Sequence, residues 1–171
     1  MSPKSWTESL NQTVTRLRAS NERPLRLGVV GIGHELRGDD AAGLVVAQQL
    51  RPFAHQHLLV IEAGHAPENH TGLLRRFNPD LIILVDSAQL NQPPGTVRWL
   101  PWQETTGLSA TTHTMPPYML ARYLTAELGC EVALIGIQPE NNAIGVGFST
   151  AVQEATGAVV HSLKSNLIDP Q

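Results

Sequence analysis

The sequence predicts a three-layer α/β/α domain with a largely parallel twisted sheet and one antiparallel edge strand. Apolar segments of strand length alternate along the chain with amphipathic segments of helix length, as in folds built on parallel sheets. Most of the apolar segments show little period-two alternation, which is typical of strands buried on both faces. The segment 96–100 does alternate and follows the turn-forming residues Asn-Gln-Pro-Pro-Gly, so we expect it at the edge of the sheet.

Residues 1–24 are interpreted as an N-terminal extension, either a short helix or disordered. Apolar residues recur at helical spacing from Trp6 to Leu17, which favours the short helix. Pro24 ends this pattern before the first strand.

Residues 25–171 are interpreted as a single α/β domain. Uninterrupted apolar runs such as 81–85 predict its buried strands. The helix near 114–128 opens on two prolines, which are well tolerated in a first turn. Thr150 and Gln153 have the spacing of a capping box, which predicts the start of the last helix. Strands are predicted at 25–33, 58–63, 81–85, 96–100 and 132–137, and helices at 39–50, 67–77, 114–128 and from 150 onward.

Composition excludes several classes of protein. The chain has 171 residues, of which 42% are hydrophobic, enough for one sizeable core. A net charge of −3 with 16% charged residues lacks the basic field that holds nucleic acid. No apolar run approaches the ~20 residues that span a bilayer, and the first residues lack an apolar signal core, so we expect a cytoplasmic protein. The single cysteine permits neither an internal disulfide nor a cysteine zinc cluster.

Chemically distinctive side chains follow the carboxyl ends of the predicted strands. Asp39 and Asp40 lie in the loop after the first strand, Asp86 ends the third, and His113 precedes a helix that leads into the last strand. Ligands bind at this edge of open parallel sheets, so we expect Asp40, Asp86 and His113 to gather there. Two carboxylates and one imidazole suit a divalent ion that keeps open coordination positions.

Each of these residues also has an ordinary structural interpretation. One of Asp39 and Asp40 would cap the following helix, where a carboxylate satisfies free backbone N–H groups. Asp86 is the strongest single indication, because an ionised carboxylate near a core is costly unless it is paired or bound to metal, yet it could be a cap or turn residue. His113 lies in a threonine-rich loop and could be a surface residue.

The other histidines are expected to be structural or exposed. His34 and His65 alone among them stand at strand ends, so they are reserve ligand candidates. The remaining ones are His55, His57, His70 and His161.

Other catalytic and binding motifs are incomplete. Gly31 and Gly33 begin a dinucleotide-binding fingerprint, but Leu36 stands where the third glycine is required. Glu62 imitates the ribose-binding acid of such folds, which keeps a nucleotide-binding module open as an alternative. The chain has no Walker motif and no G-x-S-x-G elbow. Cys130 lies just before a buried strand, a packing position rather than that of an activated thiol.

Five short motifs follow one another over about residues 26–160: G-I-G-H-E-L-R-G-D-D-A-A-G (31–43), E-A-G-H-A-P-E-N (62–69), L-I-I-L-V-D-S-A (81–88), T-T-H-T-M-P (111–116) and L-I-G-I-Q-P (134–139). In this order and spacing they resemble the hydrogenase maturation endopeptidases, which trim the C-terminal peptide of the large subunit of nickel–iron hydrogenases. The A-P-E-N, T-T-H-x-M-P and G-I-Q-P forms are most similar to the branch that serves formate-hydrogenlyase-type hydrogenases.

The resemblance implies a nickel-dependent or aspartic-type processing endopeptidase. It implies that Asp40, Asp86 and His113 are both the catalytic and the metal-facing residues, and that the nickel arrives already bound to the large-subunit precursor. The implied partner is that precursor, and we expect the enzyme itself to be a monomer. Asp39 is then the helix-capping carboxylate, and Gly33 keeps the backbone clear for an incoming peptide.

One position departs from the family pattern. The family usually has Asn directly after G-x-G, where this chain has His34. The extra imidazole could add a ligand, shift the metal preference or fill the same turn. The alternative function is a non-catalytic module that binds nickel or a nucleotide.

Overall fold

A five-stranded mixed sheet lies at the centre of the computed structural model, which describes residues 2, 4–108 and 115–168. The strand order is β2-β1-β3-β5-β4, with β4 antiparallel to β5 and the other neighbours parallel. This confirms the predicted fold class, including the antiparallel edge strand. The strands are β1 (Leu27–Ile32), β2 (Leu58–Gly64), β3 (Leu81–Ser87), β4 (Val97–Pro101) and β5 (Glu131–Ile137). The helices are α1 (Trp6–Ser20), α2 (Ala42–Leu50), α3 (Thr71–Phe77), α4 (Pro117–Leu128) and α5 (Thr150–Leu167).

Helices cover both faces of the sheet. Side chains alternate between the two faces along β3. Ile83 packs into a core shared with α1, α2 and α5, whereas Leu84 packs into a second core shared with α3 and α4. These two cores form the interfaces between the three layers. Within the described residues, no helix combines the length and apolar character needed to cross a membrane.

Helix α1 is part of the first core. Ser5 and Glu8 form a reciprocal capping box at its start. Leu10 and Val14 are buried among side chains of the sheet and of α5. On the outer side, both carboxylate oxygens of Glu131 accept hydrogen bonds from Arg16, at 2.7 and 2.8 Å. The segment therefore packs along the sheet as a helix of 15 residues.

The last helix is capped by Ser149 rather than by the predicted Thr150. The Ser149 hydroxyl accepts a hydrogen bond from the Val152 backbone N–H at 3.3 Å. Its backbone is extended, with φ −70° and ψ 150°, as a residue just outside a helix requires. Thr150 is already the first helical residue, so the predicted N-cap was wrong by one position, and Val152, three residues after Ser149, has no side-chain acceptor to complete a capping box.

Two glycines bring α2 unusually close to the sheet. A Cβ at Gly43 would overlap the carbonyl oxygens of Val85 and Ile32, and a Cβ at Gly31 would overlap the carbonyl oxygen of Gly43. Only residues without a Cβ permit this approach of helix to strand. The 3₁₀ turn that precedes α2, Gly38–Ala41, is therefore held against the carboxyl ends of β1 and β3.

Replacing Gly43 by alanine is expected to destabilise the fold by about 2 kcal/mol or more, because backbone atoms must move to admit the methyl group. Gly157→Ala in α5 is the matched control, since no atom outside the neighbouring backbone of α5 lies within 4 Å of a Cβ built there. The control should stabilise the protein by about 0.5–1 kcal/mol through helix propensity. Urea unfolding measures both changes, and an equal effect at the two glycines would contradict the close packing of α2.

Candidate active site

Asp40 is fully buried at the carboxyl end of the sheet, 0% exposed. Its Oδ1 accepts a hydrogen bond from the Ser87 hydroxyl at 3.0 Å, and its backbone carbonyl accepts from the His34 N–H at 3.3 Å. Gly33 has a positive φ of 154°, and a Cβ there would overlap the Asp40 carbonyl. The missing Cβ of Gly33 therefore makes room for the chain's own loop, and Gly33 also lines a neighbouring cleft. That it keeps the backbone clear for an incoming peptide stays a prediction.

Asp86 lies near the end of β3 and is 2% exposed. By the alternation of side chains along a strand, Ser87 shares a face with Val85, on the side of α2 and α5, and Asp86 shares a face with Leu84, on the side of α3 and α4. Ser87 contacts Asp40, so Asp40 lies on the α2 side at the end of β3, whereas Asp86 lies on the α3 and α4 side. Both carboxylates therefore lie at the carboxyl edge of the sheet, where the sequence predicted them.

The third predicted residue, His113, lies outside the described residues. The residues that bracket the segment 109–114, Leu108 and Met115, both pack against the core on the side of α3 and α4. This is the face of β3 that carries Asp86. Within the part of the chain that the structure describes, no group of three or more His, Cys, Asp or Glu side chains is arranged to hold a metal ion.

Asp39 does not cap the helix that follows it, contrary to the prediction. Its Oδ2 accepts hydrogen bonds from the backbone N–H groups of Glu140 and Asn141, at 2.8 and 3.1 Å. Its two oxygens also accept from the backbone N–H and the hydroxyl of Ser149, at 2.8 and 2.9 Å. Asp39 lies within the 3₁₀ turn Gly38–Ala41, and its carboxylate contacts the loop after β5 rather than the first turn of α2.

The environment of Asp39 keeps it ionised at neutral pH. Burial by itself would raise the pKa of this carboxyl, but the hydrogen bonds from Ser149, Glu140 and Asn141 outweigh burial and hold the pKa below its usual value. Asp39 is 0% exposed. It therefore acts as a charged clamp between the loop after β1 and the loop after β5.

Gln138 is a buried residue that the sequence did not single out, although it lies within one of the five motifs. Its side-chain carbonyl accepts from the backbone N–H groups of Leu90 and Gln92, at 2.7 and 3.3 Å. Its amide nitrogen donates to Gln89 Oε1 at 3.1 Å. Gln138 thus shapes the segment that follows Asp86.

The two reserve histidines lie together in a neighbouring cleft of about 400 Å³. The ring centroids of His34 and His65 are 5.5 Å apart. Nδ1 of His34 accepts the Leu36 backbone N–H at 3.2 Å, so the proton of the neutral ring resides on Nε2. Glu62, which also lines the cleft, forms an ion pair with Arg51 at 3.0 Å.

Cys130 packs in the second core, as predicted. Burial raises the pKa of its thiol to about 11, so the thiol is neutral at physiological pH and is not an activated nucleophile.

Comparison with known proteins identifies the family. The family model described as HycI, hydrogenase maturation protease, matches residues 45–165. A putative hydrogenase maturation protease from Methanocaldococcus jannaschii is 33% identical over 123 residues, which cover 67% of this chain and 73% of that protein. The hydrogenase 3 maturation protease of Escherichia coli is 28% identical over 134 residues, covering 78% of this chain and 85% of the relative.

Solved structures agree with the sequence comparison. The crystal structure of a NiFe hydrogenase maturation protease, HycI from Thermococcus kodakarensis, has a TM-score of 0.77 at 27% identity and covers 89% of this chain and 98% of its own. The crystal structure of the Hydrogenase 3 maturation protease has a TM-score of 0.71 at 26% identity, covering 80% of this chain and 88% of that one. Because the family model spans well over half of the sequence and the relatives align over most of their own length, this chain belongs to the hydrogenase maturation protease family.

Proposed function

We propose that the protein is a nickel-dependent processing endopeptidase that removes the C-terminal peptide of a nickel–iron hydrogenase large-subunit precursor after nickel insertion. The observation that carries the proposal is the pair of buried carboxylates, Asp40 and Asp86, at the carboxyl end of β3. Buried carboxylates need compensation by hydrogen bonds, opposite charge or metal. Family membership supports the reaction class, and the names of the relatives support the hydrogenase substrate.

The donor set suits the ion that the proposal requires. Carboxylate oxygens and an imidazole nitrogen are ligands for a borderline divalent ion such as nickel. Asp40 and Asp86 supply the oxygens, and His113 is the proposed third ligand. The packing of Leu108 and Met115 on the Asp86 side of the sheet supports this choice, since these two residues flank His113 in the sequence.

In this proposal nickel is part of the substrate. A divalent ion polarises a bound carbonyl and lowers the pKa of bound water. Asp40, Asp86 and His113 would complete the coordination of the substrate's nickel, and the burial of the two carboxylates would strengthen each electrostatic interaction by excluding solvent. The hydrogen bond from Ser87 orients the Asp40 carboxylate at this edge of the sheet.

The metal dependence can be tested on the substrate. We expect purified enzyme to cleave nickel-loaded precursor and to leave nickel-free precursor uncut, as followed by the mass of the precursor over time. The same precursor, stripped of nickel and then reloaded, is the control that separates metal dependence from damage. Equal cleavage of the nickel-free form would exclude nickel sensing but not peptidase activity.

Ser87→Ala is expected to lower the cleavage rate about 10–100-fold, because partners that orient a metal ligand typically contribute that much. The Ser87 hydroxyl donates to Asp40, and the substitution removes this bond with little change in volume. Ser165→Ala on the exposed side of α5 is the matched control and should be neutral. Initial rates on nickel-loaded precursor measure the effect, and a fully active Ser87→Ala enzyme would show that the bond does not position Asp40 for reaction.

A further inference from the structure

Three exposed apolar side chains lie together beside the candidate active site. Leu36 is 62% exposed, Ile144 is 72% exposed and Val146 is 40% exposed. Leu36 belongs to the loop after β1, and the other two belong to the loop after β5. The Gly145 N–H donates to the Leu36 carbonyl at 2.9 Å, which joins the two loops at this point. We call these three side chains the apolar rim.

The backbone beneath the apolar rim is held firmly. The Asp39 N–H donates to the Asn141 carbonyl at 3.0 Å, and the Asp39 carboxylate accepts from the N–H groups of Glu140 and Asn141. Gly38 has a positive φ of 53°, and a Cβ there would overlap the Asn141 carbonyl. These hydrogen bonds fix the two loops that expose the rim side chains to solvent. A surface that is already ordered loses little conformational entropy when it binds a partner.

The apolar rim adjoins the residues that would meet the scissile bond. Leu36 is four residues from Asp40, so their Cα atoms are at most about 14 Å apart. Leu36 also lines the cleft that contains the rings of His34 and His65. A protein that brings a peptide bond to Asp40 therefore covers or borders this rim.

We propose that the apolar rim is a docking surface for the folded body of the substrate protein, next to the peptide segment that enters the site. Exposed apolar clusters rimmed by polar groups mark protein-interaction surfaces. Three side chains fall far short of the about 1,200–2,000 Å² that a stable complex buries, so the rim fits a transient substrate rather than a second copy of this chain. The partner must carry a complementary apolar patch beside its C-terminal segment. This inference rests on the proposed function.

Binding to nickel-loaded precursor tests the inference. In an Asp40→Asn background, which keeps the substrate intact under the proposed function, the triple variant L36S/I144S/V146S is expected to bind the precursor at least ten-fold more weakly than its parent. Biolayer interferometry measures the two affinities. The matched control is F53S/L73S, which removes exposed apolar side chains outside the two loops, both 38% exposed, and should leave the affinity unchanged.

Several results would overturn the docking surface. Unchanged affinity of the rim variant would do so while leaving the proposed function intact, since cleavage by the wild-type enzyme is measured separately. An equal loss of affinity in the F53S/L73S control would show a nonspecific effect of surface hydrophobicity. Conversion of a wild-type dimer into a monomer by the rim substitutions, seen in sedimentation, would assign the rim to self-association. Absence of precursor binding by the parent, together with absence of precursor cleavage by the wild-type enzyme, would exclude both the partner and the proposed function.

Discussion

Asp40→Asn and Asp86→Asn are each expected to lower cleavage of nickel-loaded precursor by about 10³-fold or more while leaving the fold intact. The amide keeps the volume of the carboxylate but removes the charge, and electrostatic stabilisation at a divalent ion contributes several kcal/mol to the barrier. Both positions are almost completely shielded from solvent, which makes the loss of charge more consequential. Initial cleavage rates measure the loss of activity of each variant, and urea unfolding measures whether its fold is retained.

The controls for this experiment distinguish the site from the rest of the surface. His113→Ala is expected to behave like the two aspartate variants, and His161→Ala, on the exposed side of α5, is expected to be fully active. Glu154→Gln, also exposed on α5, is the corresponding control for loss of one negative charge. Full activity of Asp40→Asn or Asp86→Asn would remove that residue from the site, whereas an unfolded variant would show a structural role instead.

Asp39→Ala is expected to destabilise the protein by about 4.5 kcal/mol or more, because hydrogen bonds to a charged group contribute about 1.5–3 kcal/mol each and three backbone donors lose their acceptor. The loops after β1 and β5 are then no longer tied together by this carboxylate. Chemical denaturation at neutral pH measures the loss. A change below about 1 kcal/mol would mean that water replaces the carboxylate without penalty.

The pH dependence of stability provides an independent test of the same clamp. The pKa of Asp39 is lower in the folded protein than in the unfolded chain, where a value of about 3.9 applies. Its contribution is therefore fully present above the unfolded pKa and is lost as pH falls through the folded pKa. We expect wild-type stability to fall more steeply below about pH 4 than that of Asp39→Ala. Parallel profiles for the two proteins would contradict a lowered pKa.

Local patterns were sufficient to predict the order of the elements and the edge of the sheet where the site lies. Uninterrupted apolar runs indicated the buried strands, and the alternation of 96–100 indicated the antiparallel edge strand, which is observed as Val97–Pro101. The rule that ligands bind at the carboxyl ends of parallel strands selected Asp40 and Asp86. The roles of Ser87 and Gln138 were missed, because their hydrogen-bond partners lie on other segments of the chain.

The adjacent aspartates separate what sequence determined from what only the tertiary structure decided. The sequence determined that a pair of carboxylates follows the first strand. Local sequence patterns allowed either of them to cap the next helix or to bind a ligand. Packing assigns Asp39 to Ser149, 110 residues away, and Asp40 to Ser87, 47 residues away. The physical reason is that a buried carboxylate is stabilised by whichever donors the folded chain brings within reach. The close approach of α2 to the sheet at Gly43 determines which donors lie near each aspartate. No local sequence pattern specifies that approach.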